Sequence, residues 1–204
     1  MSAPSQTQRQ TLVVFDFDGT LTHRDSFVPF LRFAFGDRFF CRRLLRLVLP
    51  TLSFLAQRRS RDALKAELIR VFLSGVSVTW FKDAAEDYCA LRWNKLMRPK
   101  ALEGIAEQLK SGATVTLCSA SPELLLMPFA QRLGLALIGT QLEEENGLLT
   151  GRILGSNCRR AAKIARLEAV YGSLERYHLC AFGDSQGDFE LLKAAQEAYW
   201  KPFR

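Results

Sequence analysis

The chain has 204 residues, 48% of them hydrophobic, and a net charge of +7. This composition excludes an intrinsically disordered chain and allows one core with an insertion, or two small domains. The positive charge points to an anionic partner (a nucleic acid, a phosphorylated metabolite or an acidic membrane surface) without choosing among them.

The polar stretch 1–10, "MSAPSQTQRQ", lacks the apolar core of a signal peptide and is expected to be a disordered tail. Leu12 to Phe15 is a short apolar run suited to a buried parallel strand, and it ends at Asp16. From 24 to 98 the texture changes. Phe and Leu recur at helical spacing among arginines, which predicts amphipathic helices broken at Gly36, Pro50 and Gly75. This segment holds 15 Lys/Arg against 7 Asp/Glu and so carries the whole positive excess. Its most apolar run, Leu44 to Ala56, is short for a membrane span and contains Arg46 and Pro50.

After Pro99 the rhythm alternates. "ALEGIAEQLKSG" predicts a helix closed by Gly112, "ATVTLCSAS" a strand, and "PELLLMPFAQRLG" a helix with Pro122 near its first turn. A short strand and a hairpin turning at Asn146-Gly147 follow in "LALIGTQLEEENGLLTGRI". Then come the helix "RRAAKIARLEAVYG", the strand "YHLCAFGDS" and the helix "DFELLKAAQ". Alternating strands and helices predict an α/β fold with a parallel, helix-covered sheet. The expected division is a core of 11–25 and 98–204, with 26–97 inserted as a helical segment.

The five cysteines, at 41, 89, 118, 158 and 180, form no CxxC pair, and two histidines are present. A disulfide framework and a zinc site are therefore disfavoured, and free thiols suit a reducing cytoplasm. Cys118 beside Ser119 raises a thiol nucleophile, but neither His23 nor His178 stands as a convincing base, so Cys118 is expected to face the core. His23 is expected either as an exposed loop residue or at the rim of a site.

Ligands of such a sheet sit beyond the carboxyl ends of its strands. Asp16, Ser119 and Asp184 each follow a predicted strand, so they are expected to converge. Alone, Asp-x-Asp-Gly can be a turn or a cap. An EF-hand loop fails, because Leu21 stands where its glycine is needed and Phe27 where its glutamate belongs. A phosphate monoester carries about two negative charges near neutral pH, so a carboxylate approaches it only when that charge is neutralised. A hard cation held by one or two carboxylates does this, and Asp16 and Asp184 are placed to supply them.

Four motifs occur in order: "DFDGTLT" (Asp16 to Thr22), Ser119 in "VTLCSAS", Lys163 in "SNCRRAAKI", and "GDSQGD" with Asp184 and Asp188. Together they resemble the haloacid dehalogenase superfamily, in its phosphoserine-phosphatase-like branch, over residues 11–25 and 98–195. The resemblance implies a Rossmann-like sheet whose helical insertion forms a cap. It also implies Mg2+-dependent phosphomonoester hydrolysis through an aspartyl-phosphate. On that pattern Asp16 is the nucleophile and Asp18 the general acid and base. Ser119, Ala120 and Lys163 hold the phosphoryl oxygens. Asp16, the backbone carbonyl of Asp18 and Asp184 bind the metal, and Asp188 supports Lys163 or the metal shell. Asp18 also separates phosphatase from dehalogenase chemistry, whose pattern lacks it.

Substrate choice is expected to lie in the cap. Phosphoserine is disfavoured: "HRDSFVPF" lacks the branch's cap glutamate, although Asp25 could substitute, and "SAS" replaces "SGG". The substrate is left as a small phosphorylated metabolite. The alternative is a lipid phosphate, because the Phe/Leu/Arg texture of 27–59 resembles the cap of phosphatidylglycerophosphatase C and suits peripheral contact with an anionic membrane. The plainer expectation is a cap packing its aromatics internally. Nucleic-acid binding is the non-enzyme alternative, without an aromatic RNA-binding motif, zinc finger or recognition helix to carry it.

Overall fold

The computed structural model describes residues 9–45 and 61–204. Its centre is a five-stranded sheet in the order β3-β2-β1-β6-β7, every neighbouring pair parallel. The strands are β1 (Thr11–Phe15), β2 (Thr114–Pro122), β3 (Ala136–Thr140), β6 (His178–Gly183) and β7 (Glu197–Trp200). β1 lies between β2 and β6, with Val14 opposite Thr116 and Ala181. Its alternate residues enter two cores. Val13 and Phe15 join the larger one, and Leu12 and Val14 the smaller one on the opposite face. That two-sided burial is why the strand reads as an unbroken apolar run.

Gln10, within the expected tail, is tied to the sheet: its carbonyl accepts from His178 N at 3.0 Å and its amide donates to Thr114 Oγ1 at 2.9 Å. The helices α4 (Pro99–Lys110), α5 (Glu123–Leu133), α6 (Ala161–Tyr171) and α7 (Phe189–Ala194) follow the predicted alternation. Pro122 ends β2 and is the residue immediately before the first turn of α5, as expected. Strand β7 was not anticipated. "EAYW" is four exposed residues paired on one side to β6, and it follows a helix without a turn signal.

Between β1 and β2 lie α1 (Phe27–Phe35), a helical stretch at 37–45, α2 (Arg61–Leu73) and α3 (Val78–Leu96). The breaks fall at Gly36 and Gly75, both at positive φ, as read from the sequence. Pro50 and most of the Leu44–Ala56 run lie outside the described residues. The chain enters and leaves the insertion side by side. Thr22 and Met97 form an antiparallel bridge, flanked by His23 N to Leu96 O and Arg98 N to Leu21 O, each 2.9 Å.

Phe30, Phe40, Phe72, Phe81 and Tyr88 of the insertion are buried and pack together, while Phe39 and Trp80 are exposed. Phe30 lies 4.9 Å from Phe81 and 5.6 Å from Tyr88, and Phe40 lies 5.4 Å from Phe72, measured between ring centroids. Trp93 of α3 stacks on Phe129 of α5, which joins the insertion to the main core.

The hairpin of β4 (Leu142–Glu145) and β5 (Leu148–Ile153) turns at Asn146-Gly147, both at positive φ as a type I′ turn requires. It docks on the insertion: Gly75 N donates to Leu149 O and Leu149 N to Val76 O, both 2.8 Å, and Val78 N donates to Gly147 O at 3.0 Å.

Candidate active site

Asp16 is the first residue beyond β1, and its N–H donates to Phe182 O at 2.9 Å, so the end of β6 fixes its backbone. The chain then makes one wide turn, Phe17–Leu21, closed by Thr22 N to Phe17 O at 3.1 Å. Thr22 Oγ1 accepts from Gly19 N at 3.0 Å and donates to Arg24 O at 2.8 Å, locking the turn from inside. Gly19 sits at φ 79 against Asp184, where an added Cβ would lie 2.8 Å from Asp184 Cγ and closer still to Oδ2. Glycine is required there on both counts.

Lys163, 1% exposed, donates to Asp16 Oδ1, Asp188 Oδ1 and Cys118 O, each at 2.6 Å. Burial opposes its charge, but Asp16 and Asp188 outweigh burial and hold it protonated. Asp188 Oδ2 accepts from Asp184 N at 3.3 Å and from the N–H and hydroxyl of Ser185 at 3.0 and 2.9 Å. Burial works against the Asp188 carboxylate, yet Lys163 and these donors bring its pKa below the usual range. Asp16 goes the other way. Burial pushes its pKa well up, Lys163 offsets this in part, and Asp188 and Asp18 add to the rise.

Asp18 extends to the opposite side. Its Oδ1 accepts from Ser26 N at 2.7 Å and its Oδ2 from the Ser121 hydroxyl at 2.5 Å. Burial, with Asp25 nearby, raises Asp18 to about 6 against the pull of these hydrogen bonds. Ser119 Oγ accepts from Ser121 N at 3.1 Å, which curls the end of β2 round the site.

Carboxylate oxygens of Asp16, Asp184 and Asp188 all lie within 4.8 Å of one another. Burial also raises Asp184, with Arg204 pulling against it from 2.5 Å. Three crowded carboxylates, two of them (Asp16 and Asp184) raised by burial, are all hard oxygen donors and fit a small divalent cation such as Mg2+.

A profile of the haloacid dehalogenase-like hydrolases matches residues 13–193. The chain belongs to that family. Protein CicA of Caulobacter vibrioides is 39% identical over 195 residues, spanning 95% of this chain and 86% of its own. A solved protein of Bordetella pertussis Tohama I superposes with a TM-score of 0.76 at 22% identity, covering 92% of this chain and 87% of that one. Phosphoserine phosphatase, solved as a phospho-aspartyl intermediate analogue, superposes with a TM-score of 0.60 at 19% identity, covering 92% and 84%. Both solved structures share the fold.

All seven residues singled out in this hydrolase (Asp16, Asp18, Ser119, Ala120, Lys163, Asp184 and Asp188) line one cavity of about 630 Å³. His23 also lines it and is exposed. Cys118 does not. It is fully buried on the smaller-core face, and contact with Cys158 together with burial pushes its thiol well up.

The cavity contains residues that sequence reasoning passed over. Lys65 of α2 reaches down from the insertion to donate to Ala120 O and, at 2.8 Å, to Asn157 Oδ1. Burial lowers Lys65 to about 8. Asn157 Nδ2 in turn donates to Asp62 Oδ1 at 2.6 Å, and Arg159 lies 3.6 Å from the same oxygen. Ser121 and Asn157 stood inside quoted motifs, but nothing local distinguished them. Lys65 looks like any lysine on a helix.

Proposed function

We propose that this hydrolase is a Mg2+-dependent phosphomonoesterase that works through an aspartyl-phosphate. The observation that carries the reading is the meeting of Asp16, Asp18, Lys163 and Asp184 in one cavity beyond the carboxyl ends of three parallel strands. Asp16, Asp184 and the Asp18 carbonyl would hold the metal, which supplies the positive charge that lets a carboxylate meet a phosphate dianion. Lys163 binds one oxygen of Asp16 and leaves the other to attack phosphorus. Asp18, raised to about 6 by burial, gives its proton to the leaving oxygen. It then takes one back from the water that opens the acyl-phosphate. Ser119, Lys163 and the Ala120 N–H steady the phosphoryl oxygens. The phosphoserine phosphatase seen as a phospho-aspartyl analogue supports this chemistry by shared fold.

The substrate is a small phosphorylated metabolite, met in a reducing cytoplasm where the five free thiols persist. Asp25 is engaged in capping α1, its Oδ2 accepting from Val28 N at 3.0 Å, which weighs against its serving as an amino-group ligand for phosphoserine. A second reading, a lipid phosphate met at a membrane surface, is favoured by Phe39 and Leu45, 40% and 70% exposed among Arg38 and Arg42. No helix among the described residues is long and apolar enough to cross a membrane.

The test is hydrolysis of p-nitrophenyl phosphate by the full chain with Mg2+ or with a chelator. Turnover is expected with Mg2+ alone and is lost in Asp16→Asn. Undiminished turnover by Asp16→Asn would remove Asp16 as the nucleophile.

A further inference from the structure

A second cavity, of about 380 Å³, opens within the insertion between α1 and α3. Arg92 and Lys95 line it from α3, one and two turns beyond Tyr88, and Arg32 and Phe33 line it from α1. Arg24 completes the wall and also lines the active-site cavity, so the two spaces share a side chain. The one carboxylate in the lining, Asp37, is taken by Arg32 at 2.6 Å. Arg24, Arg92 and Lys95 have no carboxylate partner among the described residues.

Tyr88 gives an independent sign of a ligand. It is 3% exposed, with its ring 5.6 Å from Phe30 and 5.4 Å from Phe33. Its hydroxyl has no hydrogen-bond partner among the described residues, and it is not among the sealed unpartnered atoms, which are Thr20 Oγ1 and Ser26 Oγ. The polar edge of an otherwise buried ring therefore opens into the cavity it lines. Buried tyrosine rings normally give their hydroxyl a protein partner, and this one is left to whatever occupies the cavity. Burial pushes this phenol up to about 12, so it remains a donor at any ordinary pH.

We propose that this cavity is a second anion site, built to hold the phosphate group of a ligand distinct from the phosphoryl group at Asp16. Arg92 offers a planar fork, Lys95 a point charge and Tyr88 a neutral donor, all directed at oxygen acceptors. Pro29, Phe33 and Leu96 give the organic part of the ligand an apolar wall. A soluble phosphate ester and an anionic lipid headgroup share this chemistry. Asp37, at the cavity's edge, begins the 37–45 stretch that exposes Phe39 and Leu45. The site is independent of whether the chain hydrolyses phosphate.

Calorimetric titration of the full chain in excess Mg2+ with inorganic phosphate tests it, in the wild type and in Arg92→Ala/Lys95→Ala and Tyr88→Phe. Two phosphates per chain are expected in the wild type and one in the double variant. Tyr88→Phe, which keeps every ring contact, is expected to weaken the second phosphate about tenfold without moving Tm, as loss of a hydrogen bond to a charged group does. Hydrolysis of p-nitrophenyl phosphate stays unchanged in both. Sedimentation with phosphatidylglycerol vesicles then separates the sources. Binding lost in the double variant assigns the headgroup, and no vesicle binding by the wild type assigns the soluble ester. A single wild-type phosphate that the folded double variant loses keeps this site and fails the one at Asp16, whereas phosphate binding unchanged in number and affinity in the folded double variant overturns the proposal.

Discussion

Lys65 of the insertion donates to Asn157 of the core across 2.8 Å, and the same ammonium reaches the carbonyl of Ala120. One side chain thus ties the helical insertion to the end of β2 that carries Ser119 and Ser121.

Burial lowers Lys65 to about 8 despite Asp18, Cys158, Asp25 and Asp62, which all favour its charge. Below that pH the tie is charged, and above it the tie weakens. KM for a phosphate ester is expected to climb above pH 8, to remain flat there in Lys65→Arg, and to be high throughout in Lys65→Met. Stability runs the other way. The folded pKa lies below the ordinary 10.5, so between about 8 and 10.5 the unfolded chain holds the extra proton. The contribution of Lys65 to stability therefore rises with pH through that window. Melting curves of wild type and Lys65→Met should show the difference between them shifting in favour of the wild type from pH 8 to 10.5. A constant difference would contradict the assigned titration.

Ser121 donates to Asp18 Oδ2 at 2.5 Å and so favours the ionised carboxylate. Ser121→Ala removes that bond, and the pKa of Asp18 rises further above its value of about 6. The expected loss in kcat is about tenfold to a hundredfold, from one hydrogen bond to a charged group. The limb of the pH–rate profile that reports Asp18 should move to higher pH. A profile that drops in height without moving would show that Ser121 does not set this ionisation.

The parallel core was legible because each buried strand stops at a polar residue. Asp16, Ser119 and Asp184 stand at the ends of apolar runs, and one sheet topology brings such ends together. Asn146-Gly147 was legible because both residues must adopt positive φ, which few side chains accept. Lys65, Asn157 and Arg204 were not. Each acts through a partner distant in the chain, and a helix lysine or a terminal arginine carries no local mark of that partner. Tyr88 was hidden for the same reason, since its spacing on α3 states that it is buried but not that its hydroxyl is unpartnered.

Asp188 and Lys163 form a pair in which both residues are 1% exposed. Asp188→Asn leaves the lysine charge with Asp16 alone, and breaking a buried pair in this way costs about 3–5 kcal/mol. The folded pKa of Asp188 is depressed below 3.8, so its contribution is present above that pH and is lost as pH falls through the folded value. Chemical denaturation at neutral pH and under acid should show the wild-type advantage shrinking in acid. Equal stability of the two proteins at neutral pH would mean that Asp188 serves something other than Lys163.

Gly19→Ala probes the fit between the first loop and Asp184. Its φ of 79 strains any side chain, and the new Cβ would meet the Asp184 carboxyl at 2.8 Å from Cγ. The Asp184 carboxyl, which Arg204 holds at 2.5 Å, must shift away from the new methyl, and the carboxylates of Asp16 and Asp184 separate. The Mg2+ concentration for half-maximal turnover is expected to rise by at least about tenfold, as when a metal ligand loses its support. The fold itself should survive, because Gly19 lies in a loop beyond the sheet. An unchanged Mg2+ requirement in a folded variant would show that Asp184 does not need this approach to Gly19 to bind metal.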